Sequence, residues 1–283
     1  MGVSLSAVRR SYVKILPLAL CLAVIGAAAA QEVLAADSAA TDAQRVARWK
    51  TIATYIFGDR KIEPTETLIK LDAPARAQDA ALVPVRLSMP EKDKIKSVYL
   101  VIDDNPSPLA AHVKFGPAAD PSLLQLRVRV DTYTNMHAVA ETMEGRLFGT
   151  AAFVKASGGC SAPIDATDEE ALKGTGEMRM KFTEGAVPGK PMEATLMIRH
   201  PNFNGMQMNQ LTRNYTPPRY IDKLSVSYGD TKIFDLDADF SLSTNPVITF
   251  SFVPNGKGPV KVVASDTKDG RWEQAFDMPA TTN

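Results

Sequence analysis

The sequence predicts an all-β protein of two tandem β-sandwich domains preceded by one short helix. Three observations carry this. Apolar residues alternate with polar ones at period two over most of the chain. Pro, Gly, Asn and Asp bound strand-sized runs about every 10–15 residues. A break between Ser161 and Gly176 separates about seven candidate strands from a further six or seven.

In chain order, Arg9, Arg10 and Lys14 precede the apolar run Ile15–Ala30, and small residues follow at Ala30 and Ala35. This is the pattern of a signal peptide over residues 1–35. Pro17 and Gly26 interrupt the run, which is short for a membrane span. A large Leu20 before Cys21 argues against a lipoprotein anchor. The expected location is therefore the periplasm, with no membrane association after cleavage. Hydrophobic content of 45% supports packed cores. Basic and acidic residues balance at 32 each, and removing 1–35 takes away three basic residues and one acidic, leaving a net charge near −2. That balance excludes attraction to nucleic acid or to an anionic membrane.

The helix follows. Thr41 and Gln44 have capping-box spacing, Val46, Trp49, Ile52 and Ile56 recur at helical intervals, and Gly58 supplies a stop. Val98, Leu100 and Ile102 read as one half-buried strand. Leu124, Leu126, Val128 and Val130 read as another, with Gln125, Arg127, Arg129 and Asp131 on a wet face. Leu224, Val226 and Tyr228 lead through a tight Gly229-Asp230 turn into Ile233 and Phe234. The first domain is placed at 42–163, a linker at 164–176, and the second domain at 177–283. The acidic stretch Asp165, Asp168, Glu169 and Glu170 reads as a solvated linker face.

Cys160 is the residue that most suggests chemistry. The only other cysteine, Cys21, lies in the signal peptide, so the exported chain would hold one thiol. Gly158 and Gly159 before it and Ser161 and Ala162 after it predict an exposed, mobile arm. A thiol of ordinary pKa, about 8.5, is a few per cent thiolate at neutral pH, enough for a slow covalent handoff. Lys155 is the nearest cation in sequence. Three uses stay open: covalent carriage, a disulfide dimer through Cys160, or an incidental thiol. Catalysis by the chain itself is not expected, because His112, His137 and His200 show no triad or zinc spacing. His200, Met206 and Met208, with Met192 and Met197 nearby, form a soft donor set that would suit Cu(I). The favoured alternative puts Met192 and Met197 in the core and Met206 and Met208 on a loop, with no metal.

Several segments together carry a resemblance. In the first half they are Leu71-Asp72-Ala73-Pro74, Val83-Pro84-Val85, Asn105-Pro106-Ser107-Pro108, Phe115-Gly116-Pro117, Arg127-Val128-Arg129 and Gly158-Gly159-Cys160. In the second half they are Arg199-His200-Pro201, Pro218-Arg219-Tyr220-Ile221, Ser243-Thr244-Asn245-Pro246 leading to Phe250-Ser251-Phe252, and Asp266 to Gly270. In this order the chain resembles a fusion of the two subunits of the SoxYZ sulfur carrier, and more narrowly the SoxYZ-like carriers associated with quinoprotein dehydrogenases. The resemblance implies immunoglobulin-like sandwiches that pack as a pair. It implies a sulfur-containing intermediate held covalently on Cys160, no cofactor besides that adduct, and Sox-type or quinoprotein and cytochrome redox enzymes as partners. The chain departs from the family pattern twice. Ser161 and Ala162 replace two expected glycines, and an expected Met-Glu-Thr-Gly reads Asn202-Phe203-Asn204-Gly205. A scaffold for a periplasmic quinoprotein dehydrogenase, with Cys160 incidental, is the alternative role.

Overall fold

The computed structural model describes residues 42–164, 166–183, 185–255 and 257–279. Residues 1–35, where a signal peptide is expected, lie outside the described residues, as do Cys21, Thr41 and Asp165. Two compact units divide between Ala47 and Arg48. Of the first, the described residues 42–47 are helical. In the second, the helix α1 (42–57 in all) ends where Gly58 takes a φ of +64° and donates to the Thr54 carbonyl at 2.9 Å. Trp49, Ala53, Ile56 and Phe57 pack on Val139 and Leu147, so the 3.6-residue spacing is used to bury one face.

Among the described residues fifteen strands follow: β1 (Ile62–Pro64), β2 (Lys70–Asp72), β3 (Val83–Ser88), β4 (Ile95–Ile102), β5 (Leu109–Phe115), β6 (Ala119–Val128), β7 (Thr134–Thr142) and β8 (Leu147–Val154) in the first half, and β9 (Met178–Phe182), β10 (Met192–Ile198), β11 (Ile221–Tyr228), β12 (Thr231–Ala238), β13 (Val247–Phe252), β14 (Val260–Asp266) and β15 (Arg271–Phe276) in the second. They form two sheets, and each sheet runs through both halves. The larger has the order β1-β8-β7-β4-β5-β12-β11-β14-β15, and the smaller β2-β3-β6-β13-β10-β9. The halves join edge to edge twice. In the larger sheet β5 (Leu109–Phe115) pairs antiparallel with β12 (Thr231–Ala238), from Phe234 opposite Phe115 to Ala238 opposite Ala111. In the smaller, β6 (Ala119–Val128) pairs with β13 (Val247–Phe252), Phe250 facing Leu124. One apolar core lies between the sheets, with Val98, Leu100, Leu124 and Leu126 from the first half and Val226, Phe234, Phe250 and Phe252 from the second. The all-β sandwich fold class is therefore as the period-two pattern predicts. What that pattern does not reveal is that the strand edges left by one half are completed by the other.

The stretch read as a solvated linker holds a short helix, α2 (Asp168–Leu172), closed by a capping box between Thr167 and Glu170. The Gly229-Asp230 turn joins β11 (Ile221–Tyr228) to β12 as read. Among the described residues no helix is long and apolar enough to cross a membrane.

Candidate functional site

Cys160 is fully buried, contrary to the exposed arm that its glycine neighbours suggest. The reason lies in backbone contacts made from both sides. Gly158 takes a φ of +77° and donates to the Asp131 carbonyl at 2.7 Å, and Gly159 donates to the Val130 carbonyl at 3.0 Å. Gly159 is needed for closeness rather than for motion. A Cβ there would sit inside contact distance of the Ala80 carbonyl and 2.6 Å from the Val130 oxygen. Ser161, exposed, bends back so that its hydroxyl reaches the Gly158 carbonyl at 3.4 Å.

The second half supplies the other wall. The Asn204 side-chain amide donates to the Cys160 carbonyl at 2.6 Å, while its Oδ1 accepts from the Met206 backbone at 2.9 Å, which fixes the amide's direction. Ile164 donates to the Met208 carbonyl and accepts from Gln210. Asn209 then holds the Ala166 carbonyl at 3.0 Å and an Asp168 oxygen at 2.8 Å. The loop from His200 to Thr216 thus straps down the segment from Cys160 to α2. The gripping residue, Asn204, belongs to the stretch where the chain departs from the SoxZ-like pattern.

Arg129, read from the alternation as a wet-face residue, is only 1% exposed. Strand β6 ends at Val128, and beyond it Arg129 donates its backbone N–H to the Ser241 carbonyl. Its guanidinium donates to the carbonyls of Phe240 (3.0 Å), Leu242 (2.8 Å) and Pro201 (3.3 Å) and to the Thr244 hydroxyl (2.8 Å). Asn105 braces the same stretch, donating to the Arg129 carbonyl at 2.8 Å and accepting from Asp131 N–H at 2.9 Å. Motifs far apart in the chain, at 105, 129, 201 and 244, therefore meet beside the thiol. Burial lowers the Arg129 pKa to about 10, and burial, with Asp131 adding to it, pushes the Cys160 thiol up to about 12 against a smaller opposing pull from Arg129. Arg129, not Lys155, is the cation that acts on the thiol. In this arrangement the thiol is neutral and shielded from water, a stored rather than an attacking sulfur.

Beside the segment lies a cavity of about 970 Å³, lined by Arg129, Ala162, Pro163, Ile164 and Thr244 among others. Its size would admit several non-hydrogen atoms beyond a thiol.

The remaining candidates take structural positions. His200 is completely buried, with Nδ1 accepting from Asn202 N–H at 3.0 Å and Nε2 3.2 Å from Asp266 Oδ2. Both nitrogens are spent, so this imidazole has no lone pair to offer Cu(I) alongside Met206 and Met208. Met192 is buried in the core. Among the described residues no group of three or more His, Cys, Asp or Glu side chains is placed to hold a metal ion. His137 stacks on Trp49 at 3.6 Å and meets Asp103 at 3.1 Å, and His112 stacks on Tyr99 at 3.9 Å.

Comparison with known families divides the chain at the strapped segment. Sulfur oxidation protein SoxY matches residues 53–160, and sulphur oxidation protein SoxZ matches residues 179–277. The chain carries a SoxY domain and a SoxZ domain in tandem. The SoxY match ends on Cys160 itself. Among solved structures, the sulfur carrier protein SoxY from Chlorobium limicola f thiosulfatophilum is similar at 24% identity, over 41% of this chain and 96% of that one, with a TM-score of 0.36. A superoxide reductase (neelaredoxin) from Ignicoccus hospitalis is similar at 15% identity over 31% and 79%, with a TM-score of 0.29. A β-glycosidase from Bacteroides vulgatus is similar at 9% identity over 76% and 25%, with a TM-score of 0.24. No curated protein matches the chain.

Proposed function

We propose that the chain is a periplasmic, non-catalytic carrier that holds a sulfur-containing intermediate covalently on Cys160 and presents it to redox enzymes. The observation that carries this reading is the SoxY–SoxZ tandem, with the SoxY match ending on the thiol. The SoxY from Chlorobium is itself described as a sulfur carrier protein. In this proposal the signal peptide over 1–35 exports the chain, the adduct on Cys160 takes the place of any cofactor, and the partners are Sox-type or quinoprotein and cytochrome enzymes.

The carrier needs two states. In the closed one, seen here, Cys160 is buried and neutral. In the open one, the backbone bonds of Gly158 and Gly159 and the Asn204 bond are broken. The thiol then regains an ordinary pKa of about 8.5, with a few per cent thiolate at neutral pH. Opening has a modest cost because few hydrogen bonds hold the segment, each contributing about 1 kcal/mol net. Closing shields the adduct between deliveries.

The burial of Cys160 favours a second reading, in which the thiol is a small core residue and the paired sandwiches are a scaffold for a dehydrogenase. Intact mass of the protein taken from its native periplasm separates the two. A reductant-labile increment mapping to Cys160 is the expected outcome, and its size identifies the cargo. An unmodified thiol under all growth conditions, together with full function of Cys160→Ser, would overturn the carrier reading.

A further inference from the structure

His200 sits at the root of the strap, and the carrier reading makes no use of it. Its imidazole is fully buried, and its two partners fix its protonation state. The Asn202 backbone N–H can only donate, so Nδ1 is the acceptor at 3.0 Å. Burial works against the charge of Asp266, but the Arg219 guanidinium and the N–H groups of Lys268 and Gly270 hold its pKa below the ordinary value. That carboxylate therefore accepts, at 3.2 Å, from a proton on Nε2. The imidazole is neutral, in one tautomer, and its lone pair is already taken.

From Asn202 the connection to the thiol is short. Asn202 holds a φ of +45°, donates its side-chain amide to the Ser243 carbonyl at 2.9 Å and accepts from Ile221 N–H at 3.0 Å. Two residues on, Asn204 donates to the Cys160 carbonyl. A proton on Nδ1 would set one N–H against another, break the bond to Asn202 and free the first fixed point of the strap.

The charged side chains that face the ring are Asp266, at the end of β14, and Arg219, ahead of β11. Arg219 donates to the same Asp266 oxygen at 2.7 Å, so the carboxylate already has its counter-charge. Trp272 of β15 packs edge-on against the ring at 5.7 Å and brings no charge. The Asn245 side chain meets only the His200 backbone N–H. Burial lowers the His200 pKa by more than Asp266 raises it.

We propose that His200 is a positioning residue that latches the strap over Cys160 and releases it as the pH falls. Opening exposes the ring, which then takes up a proton at its ordinary pKa of about 6.5. The proton is thus a ligand of the open state, and it shifts the equilibrium by that difference in affinity. Because the closed-state pKa is the lower one, the latch is complete above about pH 6.5 and weakens as the pH drops below it. The inference concerns access to the thiol and holds whether or not Cys160 carries cargo.

The test is the rate at which Cys160 in the mature chain reacts with 4,4′-dithiodipyridine between about pH 7.5 and 5.0. Each rate is divided by that of an unstructured peptide of residues 156–164 at the same pH, which removes the titration of the thiol and the reagent. The relative rate should rise at least about tenfold toward the acid end. The rise should persist in His112→Gln and in His137→Gln. It should vanish in His200→Gln, whose amide supplies one donor and one acceptor and takes up no proton in this range. A flat profile in the native protein, or an undiminished rise in His200→Gln, would overturn the latch. Should His200→Gln fail to fold, the His200 Cε1–H resonance of the native protein decides. A titration near pH 6.5 with Cys160 still protected would overturn the latch, and a resonance that stays neutral for as long as Cys160 is protected would support it. Carriage of cargo is decided separately, by the intact mass.

Discussion

The Asn204 amide is a single hydrogen bond between a loop of the second half and the carbonyl of the one thiol-bearing residue described, and its removal has a calculable effect. Asn204→Ala deletes the donor and leaves the buried Cys160 carbonyl without it. A net hydrogen bond of about 1 kcal/mol corresponds to a factor of about five, and an unsatisfied buried carbonyl raises that figure. Cys160 in this variant should react with a thiol-specific disulfide reagent about fivefold faster or more, with the fold retained. An unchanged rate would mean that the opening does not pass through this bond. His112 gives a second residue-scale prediction. Burial first, and then Lys114, lower its pKa to about 4. The folded form therefore resists a proton that the unfolded chain takes up near 6.5. Its contribution is complete above about pH 6.5 and is lost as the pH falls toward about 4. The melting temperature should drop more steeply over that range in the native protein than in His112→Gln. Equal slopes would show that His112 is protonated in the folded state.

At the scale of elements, what was legible in the sequence depended on whether the deciding contact was local. The turn at Gly229-Asp230 and the stop at Gly58 are set by neighbouring residues, and both stand where the pattern places them. The alternation from Leu124 through Asp131 is also local, but the strand stops three residues short of its end. β6 ends at Val128, and Arg129 is turned inward by acceptors more than 70 residues away. Gly158-Gly159 by itself predicts freedom of movement, because the carbonyls of Ala80 and Val130, which demand the missing side chain, are invisible in a linear pattern. By contrast, α2 carries a local signal of its own: Thr167-Asp168-Glu169-Glu170 is a capping-box sequence. That element is tied to the strap by Asn209, which contacts both the Ala166 carbonyl and Asp168. Asn209→Ala should therefore free α2 from the second half while leaving the core intact. Trypsin should cut after Lys173 several times faster, with only a small change in melting temperature. A stable Lys173 bond would show that the ladder contact at Ile164 suffices to hold the segment.

The two halves complete one another's sheets, and this decides how the whole molecule must behave. Each half alone would present an open edge in both layers, β5 and β6 from the first, β12 and β13 from the second. These edges are not peripheral. Leu124 faces Phe250 and Val113 faces Leu236 across the seam, and all four are buried. Exposed apolar edges of this kind recruit other strands. Fragments 36–173 and 174–283 expressed separately should therefore aggregate or form mixed oligomers. Co-expressed, they should purify as a one-to-one complex with a single melting transition. In that complex the strap from Asn204 and Asn209 reaches across the cut, so Cys160 should be as slow to react as in the intact chain. A first-half fragment that folds alone as a monomer would show that the seam is dispensable. A complex with a fast-reacting Cys160 would show instead that the covalent link between the halves, and not the fit of the loop, keeps the thiol closed.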